Sequence, residues 1–146
     1  MGPAMTDALF RLYTRDILRL ASGISRVGQL EDADGTATRT SRLCGSMMTV
    51  EVAVEHGRIA DYAQRIQACA FGQASAALFA ETAPGRSVRE VEEGRAQVEA
   101  FLKGGAAPDG VWSAFERLEP VREVTARHGA VLLPFETTLD ALQAAA

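Results

Sequence analysis

Residues 47–66 read MMTVEVAVEHGRIADYAQRI, and this stretch decides the fold. Met48, Val50, Val52 and Val54 alternate with Thr49, Glu51, Ala53 and Glu55, the period of a half-buried strand. His56-Gly57 supplies a two-residue turn, and Arg58–Ile66 returns as the second arm of a hairpin. Upstream, Thr36–Leu43 has β-branched content and little apolar weight, which predicts an edge strand. Downstream of Cys69 the composition switches to small residues and helix formers. That predicts a helix over Ala70–Thr82, ended by Pro84-Gly85.

The same periodicities continue outward. Thr6–Leu20 carries Leu9, Leu12, Tyr13, Ile17 and Leu20 at helical spacing, an amphipathic helix capped by Thr6. Residues 22–35, with Gly23, Gly28, Gly35 and several acids, mark a loop. Ser87-Val88-Arg89-Glu90 is a capping-box pattern opening a helix whose inner face is Val88, Val91, Val98 and Leu102, and which Gly104-Gly105 stops. Asp109–Arg117 predicts a short helix with Trp112, Phe115 and Leu118 as a core stripe. Ala130–Ala144 predicts a terminal helix, in which Pro134 sits awkwardly. The order helix, three strands, helices makes the chain α+β, with a small three-stranded antiparallel sheet covered on one side by helices. One domain is expected over residues 6–144, with residues 1–5 an added or unordered lead-in and Met5 the start.

The chain has 146 residues, 47% hydrophobic and 23% charged, enough for one domain that needs no disulfide or metal to fold. Its net charge, 15 − 19 = −4, argues against nucleic acid or an anionic membrane as partner, since both need a basic surface. The longest uncharged run, Ile66–Ala80, is too short to span a bilayer. Asp7, Arg11, Arg15 and Asp16 interrupt any apolar signal core. The expectation is a cytoplasmic protein with reduced cysteines. Phosphate-binding glycine loops and the serine-hydrolase elbow are absent. Glu90, Glu92, Glu93 and Glu99, with Arg89 and Arg95, predict a solvated helix face.

Chemistry therefore falls to the two cysteines. Cys44 sits in Leu43-Cys44-Gly45-Ser46, a turn between strands where Gly45 permits tight backbone geometry. Cys69 stands where the hairpin passes into the Ala-rich helix. Its thiol faces the positive end of that helix dipole, which favours the thiolate that binds metals or attacks sulfur. Both residues flank one hairpin. Spacing alone also leaves each free to be a small buried hydrophobe, the usual fate of an isolated cysteine. His56, at the first turn position, reads as structural. His128, just before the last helix, reads as a solvent-facing residue or as a third ligand.

Taken together, Leu43-Cys44-Gly45-Ser46, the strand after it, Val54 through Asp61, and Ala68-Cys69-Ala70 followed by Ala74-Ser75-Ala76-Ala77 resemble the iron–sulfur cluster scaffold family of IscU, SufU and the NifU amino-terminal domain. Leu12-Tyr13 and Ile17-Leu18 resemble that family's first helix. Gly85 through Glu90 resembles the start of a later one, and Ala126-Arg127 through Phe135-Glu136 resembles its ending. The resemblance covers nearly the whole chain and implies the SufE/NifU-like fold. It also implies a site of three cysteines and an aspartate or histidine, holding a nascent [2Fe–2S] cluster or zinc. Cys44 and Cys69 stand at the first two cysteine positions. The aspartate position is Ser46, a neutral hydroxyl and a far weaker ligand. The third cysteine position is Ala130, and the one before it, histidine in some members, is Gly129.

The resemblance thus implies a carrier in iron–sulfur cluster assembly, not an enzyme, that binds iron, a [2Fe–2S] cluster or zinc through Cys44 and Cys69. Ser46 and His128 are the candidates to complete the ligand set. Its implied partners are a cysteine desulfurase and cluster-accepting proteins, and a homodimer would bring together the four thiolates that a [2Fe–2S] cluster requires. Two alternatives stand beside it. One is a SufE-like acceptor that takes persulfide sulfur from a desulfurase on Cys44. The other is a degenerate relative that binds no metal and only docks on a desulfurase or chaperone.

Overall fold

The structure is a computed structural model describing residues 14–41 and 45–146. It comprises α1 (Arg15–Ser22), β1 (Gly35–Thr40), β2 (Met47–Glu55), β3 (Arg58–Gln67), α2 (Ala70–Thr82), α3 (Val88–Leu102), a 3-10 helix (Gly110–Glu123), a short 3-10 turn (Thr125–Arg127) and α4 (His128–Ala145). Thr14 caps α1, its hydroxyl accepting from the Ile17 N–H at 3.1 Å. The expected cap Thr6 and the helical turns through Tyr13 lie outside the described residues.

The sheet is antiparallel in the order β1-β2-β3. The hairpin forms where the alternation places it, and His56 (φ 54°) and Gly57 (φ 74°) are both left-handed, as a type I′ turn demands. Met48, Val50 and Val52 are fully buried beneath it. β1 ends at Thr40, short of the expected Leu43, which lies outside the described residues. The segment read as a loop does more than connect. Gly28 N–H donates to Gln64 O and Gln64 N–H to Arg26 O, both at 3.0 Å, so residues 26–28 run along the outer edge of β3. Buried Gln64 completes this seam, its Nε2 donating to Ser25 O at 2.9 Å and Ala76 O at 3.3 Å.

α2 and α4 cover the inner face side by side. Ser75 Oγ donates to Val131 O at 2.6 Å, and the Phe79 and Phe135 rings lie 5.0 Å apart. Contacts that advance together along both helices mean the two run in the same direction. The capping box forms as expected, Ser87 Oγ accepting from Glu90 N–H and Glu90 from Ser87 N–H. Val88, expected on the inner face of α3, is instead 45% exposed. Val91, Val98 and Leu102 are buried as expected, and Gly94 joins them, where a Cβ would come within 2.4 Å of the Trp112 ring. The charged face of α3 is not wholly solvated, because Arg95 reaches Glu136 on α4 at 2.6 Å.

The expected short helix at Asp109–Arg117 is a fourteen-residue 3-10 helix reaching Glu123. Its buried residues, Trp112, Phe115, Leu118 and Val121, recur every third position. Three residues per turn stacks them on one face, whereas an α-helix would rotate them progressively off it. α4 begins at His128, two residues early, and carries Pro134 inside it. The cost of that proline is local: it withholds the N–H that would meet the Ala130 carbonyl. Among the described residues no helix is long and apolar enough to cross a membrane.

Candidate functional site

Pairing across the sheet sets Thr40, Met47 and Gln67 side by side, so one end of the molecule collects the exit of β1, the entry of β2 and the exit of β3. Two residues beyond Gln67, Cys69 takes the N-cap position of α2 (φ −66°, ψ 172°). It is a free, half-buried thiol whose carbonyl accepts from Gln73 N–H at 3.0 Å. The loop between β1 and β2 is closed by Ser41 N–H to Ser46 O at 2.7 Å and Gly45 N–H to Ser41 O at 2.9 Å. The left-handed φ of 69° at Gly45 is what lets the chain return so tightly. Ser46 is 2% exposed. Cys44 lies outside the described residues, between these two anchors in sequence.

The start of α4 completes the assembly through small residues. A Cβ on Gly129 would stand 2.7 Å from Ser41 Oγ, and one on Gly72 would stand 3.4 Å from the Ala130 Cβ. The β1–β2 loop therefore leans on Gly129, and the first turn of α2 leans on Ala130. Neither α2 nor α4 has a side-chain cap or an acidic residue in its first turn. Because the two helices are parallel, their positive ends lie together at this place.

Of the residues singled out from the sequence, Cys69, Ser46, Gly129 and Ala130 therefore belong to one end of the fold. Ala130 is fully buried and offers no donor. His128 belongs elsewhere. Its Nε2 lies 3.1 Å from both the Val121 and Arg122 carbonyls, and two acceptors assign the proton to that nitrogen. The ring lines a separate cavity of about 760 Å³ with Lys103, Arg122, Glu119 and Glu123. His128 and Ala130, two residues apart, lie about 200° apart around the helix. Among the described residues no group of three His, Cys, Asp or Glu side chains could hold a metal. His56 marks the opposite end of the hairpin, where it serves the turn.

Sequence reasoning missed Ser41 and Gly72. Gly72 carried a signal, since a glycine inside a helix-forming run costs stability unless close approach requires it. Ser41 carried none.

A three-stranded antiparallel sheet backed by two parallel helices, with a cysteine at the N-cap of the first, defines a recognisable class. Residues 12–110 match the NifU-like N terminal domain, and the chain belongs to that family. The structure is similar to the N-terminal part of a nitrogen-fixing NifU-like protein from Brucella abortus, with 36% identity, a TM-score of 0.88, and coverage of 94% of this chain and 96% of that one. It shares its fold with a protein from Fervidobacterium islandicum AW-1 assigned as a SUF-system cluster assembly scaffold, at 23% identity and a TM-score of 0.82 over 90% and 97% of the two chains. Among curated relatives, the iron–sulfur cluster assembly scaffold protein IscU of Thermotoga maritima is 26% identical over 90% of this chain and 93% of its own length. IscU 1 of Archaeoglobus fulgidus is 36% identical over 64 residues, 44% of this chain. That match spans 42% of the Archaeoglobus protein's length. The expected α+β, NifU-like fold is thus the observed one.

Proposed function

We propose that this protein acts in iron–sulfur cluster assembly as a carrier that turns over no substrate, its cargo held at the β1–β2 loop end by Cys69 together with Cys44. The observation that carries this reading is the pair of parallel helix N-termini beside Cys69, neither closed by a side-chain cap. Their combined field stabilises anions, and thiolates, persulfides and thiolate-bound clusters are all anionic. Ser46 is the oxygen donor at the family's aspartate position, and a serine hydroxyl adds little to a metal's coordination. His128 is left out of the proposed set because its Nε2 is spent on carbonyls and its ring faces the 3-10 helix. Cargo would therefore be held by two thiolates per chain and released readily. A cysteine desulfurase as sulfur source, cluster-accepting proteins as recipients and a cytoplasmic location follow from the same reading.

One observation favours a second reading, sulfur relay without metal. The third-cysteine position is Ala130, fully buried against the space left by Gly72, so no third thiolate is available. In a relay a cysteine thiolate attacks the outer sulfur of a donor persulfide. The donor's S–S bond breaks, the donor leaves as thiolate, and the persulfide now sits on this chain. Anaerobic titration with ferrous iron and zinc, run beside mass spectrometry after incubation with a desulfurase and cysteine, separates the two. Metal binding lost in both Cys44→Ala and Cys69→Ala supports the carrier. Gain of one sulfur atom that only Cys44→Ala abolishes, with no metal bound, replaces it with the relay. Neither metal nor sulfur on the native chain removes both.

A further inference from the structure

The two edges of the sheet are treated differently. The outer edge of β3 is covered at two places: Ile59 exchanges hydrogen bonds with Arg86 O and Gly85 N–H, and Gln64 with Arg26 O and Gly28 N–H, all within 3.0 Å. β1 has no such cover among the described residues. Ser41 N–H donates to Ser46 O, so the alternation of an antiparallel ladder turns Ala37 and Arg39 toward β2, and Thr36, Thr38 and Thr40 outward. The 2.8 Å contact between the Thr38 and Thr49 hydroxyls fits that phase, since side chains approach most closely at pairs not hydrogen-bonded to each other. Thr36, Thr38 and Thr40 are all exposed. None of the usual guards is present: β1 has no proline, lysine or register shift, and Arg39 is drawn to Asp140 on α4 at 3.0 Å.

We propose that the β1 edge is a homodimer interface, two copies pairing antiparallel about Thr38 into a six-stranded sheet. The strand is self-complementary in this register. Thr36 meets Thr40, Thr38 meets Thr38, and every outward-facing residue finds an outward-facing partner with which to exchange two main-chain hydrogen bonds. The outer face becomes a row of hydroxyls, Thr49 and Thr38 of each copy, extending a contact already made within one chain. No like charges meet, because the edge's one ionic residue is paired internally. A foreign peptide would have only short threonine side chains to recognise it, whereas a second copy supplies its own complement. The pairing is isologous, the same edge on both copies, so it closes at two. The interface is small by the standards of stable complexes, so the dimer is concentration-dependent. It also keeps the two candidate sites apart: Thr40 and its symmetry mate are four residues apart along the strand direction, about 14 Å, which leaves each site with its own chain's cysteines.

The proposal does not depend on the cargo. Sedimentation velocity of the full chain, from a few to several hundred micromolar, should show a reversible monomer–dimer equilibrium. Amide exchange at the dimeric concentration should slow at Thr36, Thr38 and Thr40 and stay unchanged at Ala37 and Arg39. Thr38→Pro, which removes an outward N–H, and Thr38→Lys, which sets two cations across the axis, should each weaken dimerisation at least tenfold. Thr38→Lys should keep the native melting temperature and so covers the case in which the proline variant fails to fold. A chain monomeric throughout, a dimer indifferent to Thr38→Lys, or protection confined to other amides would each overturn the assignment.

Discussion

The two ends of the α2–α4 pair are built on opposite principles. At the far end Phe79 is ringed by Tyr62, Trp112 and Phe135, with centroids 5.0 to 5.8 Å away, and all four side chains are at most 3% exposed. Trp112 closes over Gly94 and donates its indole N–H to Glu90 O at 3.1 Å. At the near end the contacts are Gly72 on Ala130 and Gly129 on Ser41. Large rings hold the helices by buried area, while small residues bring backbones together and leave the helix ends exposed to whatever Cys69 carries. Stability is concentrated at one end and chemistry at the other.

The largest effect should come from removing the aromatic hub. Phe79→Ala should cost about 4 kcal/mol of unfolding free energy through lost burial and a residual cavity, read from denaturant midpoints. A smaller loss would mean the rings repack. At the other end, Gly72→Ala forces a Cβ to within 2.7 Å of the Ala68 Cβ and 3.4 Å of Ala130. The overpacking, less the gain in helix propensity, should leave a loss of about 2 kcal/mol. It should also alter the alkylation rate of Cys69, which Phe79→Ala should not do.

Supplying the missing donors sharpens the comparison from the chemical side. Ser46→Asp with Ala130→Cys should raise zinc affinity more than tenfold, about 1.4 kcal/mol, in competition with a chelator. Unchanged affinity would mean that these positions do not face the cargo. Binding should weaken at low pH, since thiols must lose protons as metal enters.

Smaller still is the effect on the outer face of the sheet. Arg65 holds the Glu51 carboxyl below the usual carboxylate range against the opposing effect of burial, helped by the Leu30 N–H. A depressed folded pKa means stability that is full above the ordinary carboxylate range and lost as pH falls through the lower folded value. Glu51→Gln should therefore cost about 1 kcal/mol at neutral pH and flatten the acid limb of the melting profile. The exposed Arg89–Glu93 pair, at 3.8 Å, sets the floor. Glu93→Gln should change stability by less than about 0.5 kcal/mol.

Local pattern alone determined the hairpin, its turn, the capping box at Ser87 and the extent of α2, because each rests on neighbours in sequence: a period of two, a pair of left-handed residues, a hydroxyl three residues from a carboxylate. The resemblance, carried on short motifs, is what singled out Cys44, Cys69, Ser46 and Ala130 as candidate positions. Tertiary structure decided what depends on distant partners. The 3-10 helix follows from the need to lay Trp112, Phe115, Leu118 and Val121 on one face against α2 and α3, a demand that propensity does not record. Val88 shares the stripe of buried Val91, Val98 and Leu102 but stands at the first position of α3, where it is 45% exposed. His128, close in sequence to Ala130, faces the other way because a helix separates neighbours two apart. The cradle of Ser41, Gly129, Gly72 and Ala130 joins residues up to 89 positions apart, and only the parallel packing of α2 and α4 brings them to one place.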